Sequence, residues 1–197
     1  AYNVASMVTS LHKCGHYIVD LKPSNVSVYK ENMLVAMVDC DGFSIKGEKT
    51  RYPAEFVSEE YIYPEGMDKS CEEMGEEQDK FALAVIIFKL LNNGIHPFSG
   101  VPRKADSEML TIQNRIEKYH YAYGLWPDAY QAPHPYSLHE YFDKETLELF
   151  ERAFVEFSVQ EAGEVGVGRQ GPERLDAKPF PALCFQFIQC PHTPDTD

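Results

Sequence analysis

The sequence lacks the features that mark membrane, secreted and nucleic-acid-binding proteins. Its 197 residues contain no run of about 18 or more apolar residues, so we predict no membrane span. No charged and then apolar leader precedes a small-residue cleavage site, which gives no support for secretion. Basic residues are few: 18 Lys and Arg against 31 Asp and Glu leave a net charge of −13. Because phosphate backbones and anionic lipids repel an acidic surface, neither nucleic acid nor a membrane is an expected partner.

A regular cysteine framework is also missing. The five cysteines are an odd number at irregular spacing: Cys14, Cys40, Cys71, Cys184 and Cys190. Disulfide-stabilised secreted chains favour even numbers, whereas cytoplasmic proteins keep their thiols reduced. We therefore expect free thiols and a cytoplasmic location. Cys184 and Cys190 with His192 resemble half of a zinc site, which cannot close a tetrahedral shell by itself.

The composition suits a folded domain, since 44% hydrophobic and 13% aromatic residues are enough to build a core. Apolar positions at helical spacing predict a first helix over residues 1–14. Alternating polar and apolar residues then predict a β-hairpin over residues 26–38 with a polar turn. Residues 46–79 are acidic and have no clear period, which predicts a long exposed loop with one short helical turn. The apolar run over residues 81–91 predicts a buried helix.

Two further helices are predicted towards the end of the chain. They cover residues 107–119 and 143–157, and Asp143 is placed to cap the start of the second. The aromatic stretch 119–139 between them is interpreted as a loop that packs onto the helices. The order of elements predicts an α+β fold dominated by helix.

The chain is predicted to hold one partial domain and a tail. The domain covers residues 1–157, and the composition shifts to Gly, Pro and Gln beyond it. We interpret residues 158–197 as an irregular tail or linker, with the possible start of a Cys/His segment. The chain begins without Met, inside the first predicted helix, so we expect it to be a fragment of a longer protein.

Residue types that suit phosphoryl transfer occur in two short segments. The first holds Asp20, Lys22 and Asn25 between the first helix and the hairpin. The second follows the hairpin and holds Asp39 and Asp41. Carboxylate and amide oxygens bind Mg²⁺, a carboxylate can accept the proton of an attacking hydroxyl, and a Lys offsets phosphate charge. The two segments therefore predict a site for phosphoryl transfer.

These segments resemble the catalytic loop of the protein kinase family, HRDLKPxN, and its metal-binding DFG segment. Three more motifs follow in family order. Tyr63-Pro64-Glu65 resembles the APE motif, Asp79 with the following apolar run resembles DxxSxGxxL, and Gly94-Ile95-His96-Pro97-Phe98 resembles GxxPF. The resemblance covers residues 1–157 and is closest to bacterial Ser/Thr protein kinase-like proteins with a D-x-D-S/G-F metal segment. It implies a protein kinase-like fold, namely a mostly helical C-lobe with a small catalytic β-hairpin.

The resemblance also implies roles for individual residues. Asp20 resembles the catalytic base and Lys22 the phosphate-contacting Lys. Asn25 and Asp39 resemble the residues that hold Mg²⁺ with ATP. Asp41 is the alternative metal ligand, because Asp41-Gly42-Phe43 can be taken as a scrambled DFG, although the spacing from Asn25 favours Asp39.

Three residues are assigned structural roles by the same resemblance. Asp79 is expected to bind backbone amides of the catalytic loop from the start of the buried helix. Glu65 is expected to form an ion pair with Arg152 of the last helix. Loss of either member of a buried pair costs about 3–5 kcal/mol.

The sequence also departs from the family pattern. Ile18 and Val19 replace the His and Arg of HRD, and loss of that Arg argues against activation by loop phosphorylation. Cys40 and Asp41 replace the Phe and Gly of DFG. The chain contains no Gly-rich loop, strand Lys or partner Glu, so the N-lobe is absent and is expected upstream. We expect little activity from this chain alone.

The resulting expectation is an ATP- and Mg²⁺-dependent Ser/Thr protein kinase-like phosphotransferase. Its partners would be ATP and a protein substrate with a Ser or Thr hydroxyl. The main alternative is a pseudokinase that acts as a binding or scaffold module. A small-molecule kinase of the aminoglycoside type shares the Asp-to-Asn spacing, but it usually lacks a residue like Lys22 and the APE-like segment.

Overall fold

The computed structural model describes residues 1–31, 33–104 and 110–155 as a mixture of helices and small sheets. The helices in these residues are α1 (Tyr2–Lys13), α2 (Glu76–Leu91), α3 (Ile112–Glu117) and α4 (Lys144–Phe154). The strands pair as three antiparallel hairpins: β1 (Val26–Tyr29) with β2 (Leu34–Met37), β3 (Ile45–Lys46) with β4 (Arg51–Tyr52), and β5 (Gly100–Pro102) with β6 (Gln131–Pro133). The mixed α and β content agrees with the sequence prediction.

Helix α2 forms the centre of the core, as its uniformly apolar sequence predicts. Its residues 81–88 are all buried, and the helix packs against α1 and α4. The Phe88 ring lies edge-on to Phe150 of α4, with 5.0 Å between ring centroids. Each large apolar side chain that is fully buried contributes about 1.5–3 kcal/mol relative to an exposed one.

The start of α2 differs from the prediction. The helix begins at Glu76 instead of residue 81, so its first turn lies within the segment predicted as a loop. Glu76, Glu77 and Asp79 in this first turn are stabilised by the positive end of the helix dipole. Their polarity concealed the helix, because the prediction relied on the apolar run alone.

The predictions for α1, the first hairpin and α4 are confirmed within the described residues. Val26 of β1 pairs with Met37 of β2, and Asp143 accepts a hydrogen bond from the Thr146 amide at 2.7 Å to cap α4. Residue 32 of the hairpin turn and residues 156–157 of the last predicted helix lie outside the described residues.

Helix α3 is shorter than predicted. It covers Ile112–Glu117, and Thr111 caps it by accepting a hydrogen bond from the Asn114 amide at 3.1 Å. Residues 105–109, which include the predicted start, lie outside the described part. Tyr119, predicted as the last residue, instead has a positive φ of 54°, which is incompatible with a continuing right-handed helix.

The prediction for residues 46–79 is wrong in one respect, since they do not form a single exposed loop. They contain the hairpin β3–β4 and three short 3₁₀ helices, Glu59–Tyr61, Pro64–Gly66 and Cys71–Glu73. Tyr61, Ile62 and Tyr63 are each at most 7% exposed. The short hairpin and the 3₁₀ helices are too short to give a periodic signal in the sequence. The acidic residues around Tyr61, Ile62 and Tyr63 concealed the burial of these three side chains.

The aromatic stretch 119–139 packs onto the helices, as predicted. Tyr121 and Tyr123 are almost fully buried, and both rings contact Phe88 of α2. The pairing of β6 with β5 within this region was not foreseen, because three-residue strands carry no usable alternation. Residues 158–197, with the predicted tail and the half zinc site, lie outside the described residues.

Two expectations about the environment can be compared with the described part of the chain. Cys14, Cys40 and Cys71 are free cysteines, as expected, whereas Cys184 and Cys190 lie outside it. A search of the described residues finds no helix with the length and hydrophobicity needed to cross a bilayer.

Candidate functional site

A pocket of about 270 Å³ brings the two predicted segments together. Asp20 and Asn25 line it from the loop of residues 18–25, between α1 and β1. Asp39 and Asp41 line it from the turn of residues 39–43, after β2. The β1–β2 hairpin connects the loop to the turn. Because its two strands are antiparallel, the end of β2 lies beside the start of β1, and the turn therefore lies next to the loop. Residues 14 to 21 apart in sequence thus face one cavity.

A buried carboxylate fixes the start of the 18–25 loop. Asp79 of α2 is fully buried and accepts hydrogen bonds from the backbone amides of Ile18 at 2.8 Å and Val19 at 2.7 Å. The prediction for Asp79 is therefore confirmed. Val19 has a positive φ of 62°, a conformation that β-branched residues rarely adopt without support. The Asp79 carboxylate supplies that support.

Two neighbouring side chains extend this anchor. His12 of α1 lies with its Nε2 2.7 Å from the Asp79 carboxylate. Gln78 is fully buried and donates from its Nε2 to the carbonyls of Val19 at 3.1 Å and Tyr61 at 2.9 Å. Neither residue could be predicted from the sequence, since a His inside a helix and a Gln beside an Asp carry no distinctive signal.

The Asp20 carboxylate is held by a small network with Lys22 and Ser58. One oxygen accepts the Ser58 backbone amide at 2.8 Å, and the other accepts the Lys22 ammonium at 2.5 Å. The Lys22 ammonium also donates to the Ser58 hydroxyl at 2.9 Å. Ser58 was not predicted, because one Ser in an irregular segment is not distinctive. The network orients the carboxylate next to the pocket.

Asn25 is buried at the inner wall of the pocket. Its side-chain amide nitrogen donates to the Asp20 backbone carbonyl at 3.1 Å. The Asn25 backbone carbonyl accepts a hydrogen bond from the Val38 amide at 3.0 Å. The first bond occupies the nitrogen and fixes the side chain. The amide oxygen, which accepts a bond from the neighbouring Ser24 hydroxyl at 3.4 Å, is the group that can bind a cation. The second bond ties the 18–25 loop to the strand that leads into Asp39.

The 39–43 turn is more loosely held. Asp39 has a positive φ of 62° and makes no side-chain bond to the 3₁₀ helix Cys40–Gly42 that follows it. Asp41 lies on that helix, and both carboxylates are exposed. Both residues line the pocket, so the structure does not distinguish between Asp39 and Asp41 as candidate metal ligands. Glu55 and Phe56, which sequence analysis did not single out, complete the wall.

The oxygen donors in this pocket suit Mg²⁺ in one particular way. Within the described residues, no group of three or more His, Cys, Asp or Glu side chains is close enough to hold a metal ion alone. Mg²⁺ is typically bound by one or two carboxylates together with waters and substrate phosphates. Asn25 with Asp39 or Asp41 fits that pattern, since these residues could hold the ion once a phosphate shares it.

The predicted ion pair between Glu65 and Arg152 is wrong. Glu65 instead accepts a hydrogen bond from the Tyr119 hydroxyl at 2.9 Å. Its other oxygen and the Nε of Arg152 are buried without a hydrogen-bond partner in the described structure. Burial raises the pKa of Tyr119, and the hydrogen bond to Glu65 raises it further. The phenol of Tyr119, two residues after α3, thus takes the place that the prediction gave to Arg152.

Comparison with known proteins gives one family match. The family model described as protein kinase domain matches residues 1–156. The chain is 30% identical over 131 residues to protein kinase YegI of Escherichia coli strain K12, which covers 62% of this chain and 19% of that protein. It is 26% identical over 127 residues to the serine/threonine-protein kinase ppk21 of Schizosaccharomyces pombe, covering 60% of this chain and 22% of that protein. The chain spans about a fifth of the length of these relatives.

Proposed function

This chain belongs to the protein kinase family, and from that premise we propose that it is the phosphotransfer part of an ATP- and Mg²⁺-dependent Ser/Thr protein kinase. In this proposal ATP donates a γ-phosphoryl group to a Ser or Thr hydroxyl of a protein substrate. The observation that carries it is the network that holds the Asp20 carboxylate beside Lys22 at the pocket.

Each pocket residue has a proposed role. Asp20 orients the attacking hydroxyl and accepts its proton, since a carboxylate within hydrogen-bonding reach can act as general base. Lys22 offsets the negative charge on the transferring phosphate. Asn25 and Asp39, with Asp41 as the alternative, hold Mg²⁺ together with the ATP phosphates. The ion, when bound, supplies charge neutralisation at the phosphates.

Ser58 supports the proposed role of Asp20. Its backbone amide and hydroxyl bind Asp20 and Lys22 at once, so the segment that carries it lies directly beside the proposed base. This leaves the Asp20 carboxylate oriented before any substrate arrives, which lowers the cost of reaching a reactive geometry. A small-molecule kinase of the aminoglycoside type is less well supported, because residues like Lys22 are usually absent there.

The proposal assigns this chain to the C-lobe and expects an N-lobe upstream. The Gly-rich loop, strand Lys and helix Glu of the family do not occur in this sequence, although an ATP cleft requires them. The exposed apolar side chains of Val28, Tyr29 and Leu34 on the first hairpin are consistent with a surface that another part of the protein covers. We also propose a cytoplasmic location, which the free thiols of Cys14, Cys40 and Cys71 support.

The test is phosphotransfer by the full-length gene product. Casein and histone serve as acceptor proteins, and release of phosphate from Mg-ATP is followed in parallel. We expect Asp20→Asn to lower kcat at least about 100-fold while the fold survives. Asp39→Ala should abolish transfer, whereas Asp41→Ala should retain it if Asp39 is the ligand.

The control is Asp68→Asn, which changes an exposed carboxylate that does not line the pocket. It should leave turnover unchanged. Wild-type turnover from Asp20→Asn would falsify the role of Asp20. Full activity in Asp39→Ala together with loss of activity in Asp41→Ala would show that Asp41, and not Asp39, is the metal ligand.

The alternative function is a pseudokinase that binds partners without phosphoryl transfer. It is favoured by Ile18 and Val19, which are at most 1% exposed and pack into the core where the family carries His and Arg. Nucleotide binding with no phosphate transfer and no phosphate release in the full-length protein would support this alternative.

A further inference from the structure

An isolated backbone bridge joins two segments beside the pocket. Tyr17 and Ser44 exchange backbone hydrogen bonds, from the Tyr17 amide at 2.9 Å and from the Ser44 amide at 2.8 Å. Tyr17 directly precedes the 18–25 loop, and Ser44 directly follows the 39–43 turn. This bridge therefore sets the distance between the two segments that carry the pocket carboxylates.

The side chain of Arg51, on β4, clasps this bridge from outside. Its Nη1 donates to the Ser44 carbonyl at 3.2 Å and to the Ser44 hydroxyl at 3.1 Å, and its Nη2 donates to the Gly15 carbonyl at 2.9 Å. The guanidinium carbon also lies 4.5 Å from the centroid of the Tyr17 ring. One planar group thus contacts residues on both sides of the bridge, which suits the fixed fork of an Arg. We call this set of contacts the Arg51 clamp.

The partners of Arg51 in the clamp are all groups that the chain carries without any modification. They are two backbone carbonyls, a hydroxyl and an aromatic ring, and within the described residues Arg51 forms no salt bridge. Phosphorylated loops, by contrast, are held by charge pairing that exists only after modification. The clamp therefore orders its segment without any added phosphate.

Backbone pairing alone is a weak substitute for the clamp. Strands β3 and β4 pair through only two residue pairs, and one further bond joins the Gly47 amide to the Thr50 carbonyl at 2.9 Å. Two-stranded hairpins are marginally stable in water by themselves. The side chain of Arg51 adds three hydrogen bonds between this hairpin and the segments beside the pocket, where the Lys46 amide adds one, to His16 Nδ1 at 3.1 Å.

We propose that Arg51 is a positioning residue that fixes the 18–25 loop and the 39–43 turn relative to each other. The proposal rests on the proposed function, because it makes turnover depend on Arg51 although Arg51 does not line the pocket. A displacement of about 1 Å between reacting groups can lower turnover about 100-fold. Loss of the clamp therefore acts on kcat through the geometry of Asp20, Asn25 and Asp39.

The experiment compares Arg51→Ala with Arg103→Ala in the full-length gene product. Arg103 is a matched control, because its Nε also donates to backbone carbonyls, those of Asp128 at 2.7 Å and Gln131 at 3.1 Å, away from the pocket. We measure kcat and KM for Mg-ATP, the thermal midpoint, and amide hydrogen exchange at Tyr17 and Ser44.

Arg51→Ala should lower kcat about 10- to 100-fold, change KM for ATP by less than about threefold, and accelerate exchange at both amides. Arg51→Lys should give an intermediate kcat, because one ammonium cannot span all three acceptors. Arg103→Ala should lower the thermal midpoint while keeping wild-type kcat and wild-type exchange at Tyr17 and Ser44.

Wild-type kcat in Arg51→Ala would overturn the proposal. An equal loss of kcat in Arg103→Ala at an equal drop in midpoint would also overturn it, since stability alone would then explain the effect. If the wild-type protein transfers no phosphate, the proposed function fails. Hydrogen exchange still tests whether Arg51 holds the bridge between Tyr17 and Ser44. Unchanged exchange at Tyr17 and Ser44 in Arg51→Ala refutes this role.

Discussion

On one side of the pocket, Asp20 and Asn25 lie on a loop whose backbone and side chains are bound by buried groups. On the other side, Asp39 and Asp41 lie on an exposed turn without comparable support. The first side is fixed by Asp79 and by the Ser58 segment before any ligand arrives. The difference teaches that the proposed base and Asn25 are preorganised, whereas Asp39 and Asp41 depend on a ligand and on the Arg51 clamp for their position.

Removing the anchor of the ordered side should have the largest effect. Asp79→Ala deletes a buried carboxylate and leaves the amides of Ile18 and Val19 without acceptors. Loss of one member of a buried network costs about 3–5 kcal/mol, so we expect a fall of that size in the free energy of unfolding, measured by urea denaturation.

Asp143→Ala is the matched control for Asp79→Ala. Asp143 also accepts a backbone amide, that of Thr146, but it is exposed at the start of α4. Loss of such a cap costs about 1 kcal/mol. Equal losses from the two variants would contradict a special role for the buried anchor.

How much of this arrangement could be predicted depends on how far apart in the sequence the contacting residues lie. Local patterns predicted α1, the first hairpin and the buried part of α2, and motif spacing brought Asp20, Asn25, Asp39 and Asp41 to one site. Ser58 was missed because its partners Asp20 and Lys22 lie more than 30 residues away. Arg51 was missed because its bond to Gly15 spans 36 residues and nothing local marks it.

The wrong ion pair has the same origin. Glu65 and Arg152 were paired through the family resemblance, which does not reveal where the end of α3 lies. Tyr119 reaches Glu65 from 54 residues away, and only the packed structure shows that its hydroxyl forms the bond. The contact between Tyr119 and Glu65 therefore could not be predicted, whereas the helices marked by apolar periodicity could.

A second prediction concerns the pH dependence of stability and a buried histidine next to the 3₁₀ helix Glu59–Tyr61. His96 is buried, and its ring nitrogens bind the Glu60 carbonyl at 3.0 Å and the Phe98 amide at 3.2 Å. Burial lowers the pKa of His96 to about 3. As the pH falls below about 6.5, the unfolded chain binds a proton that the folded protein does not, so folding stability declines at up to about 1.4 kcal/mol per pH unit.

His96→Gln should remove this contribution, since Gln does not titrate. Urea unfolding of the wild type and the variant at several pH values between 7 and 4 measures the two slopes. The variant should show the flatter dependence, although His120 and His139, whose pKa values are also lowered by burial, still contribute to both. Parallel slopes would contradict the neutral state of His96.

The smallest effect on stability is expected on the exposed side. Asp41→Ala removes an exposed carboxylate of the 39–43 turn, and such surface changes are usually within about 0.5 kcal/mol. We expect the free energy of unfolding to stay within that range by urea denaturation. A loss above about 2 kcal/mol would show that the turn is anchored as firmly as the 18–25 loop.

The central claim is that this pocket takes Mg-ATP between an ordered loop and a turn that the ligand orders. Amide hydrogen exchange of the full-length gene product, with and without saturating Mg-ATP, tests it most directly. The account predicts that Mg-ATP slows exchange over residues 39–43, that chelation of Mg²⁺ reverses this, and that residues 18–22 are already protected without ligand. Unchanged exchange over residues 39–43 at saturating Mg-ATP would contradict the account.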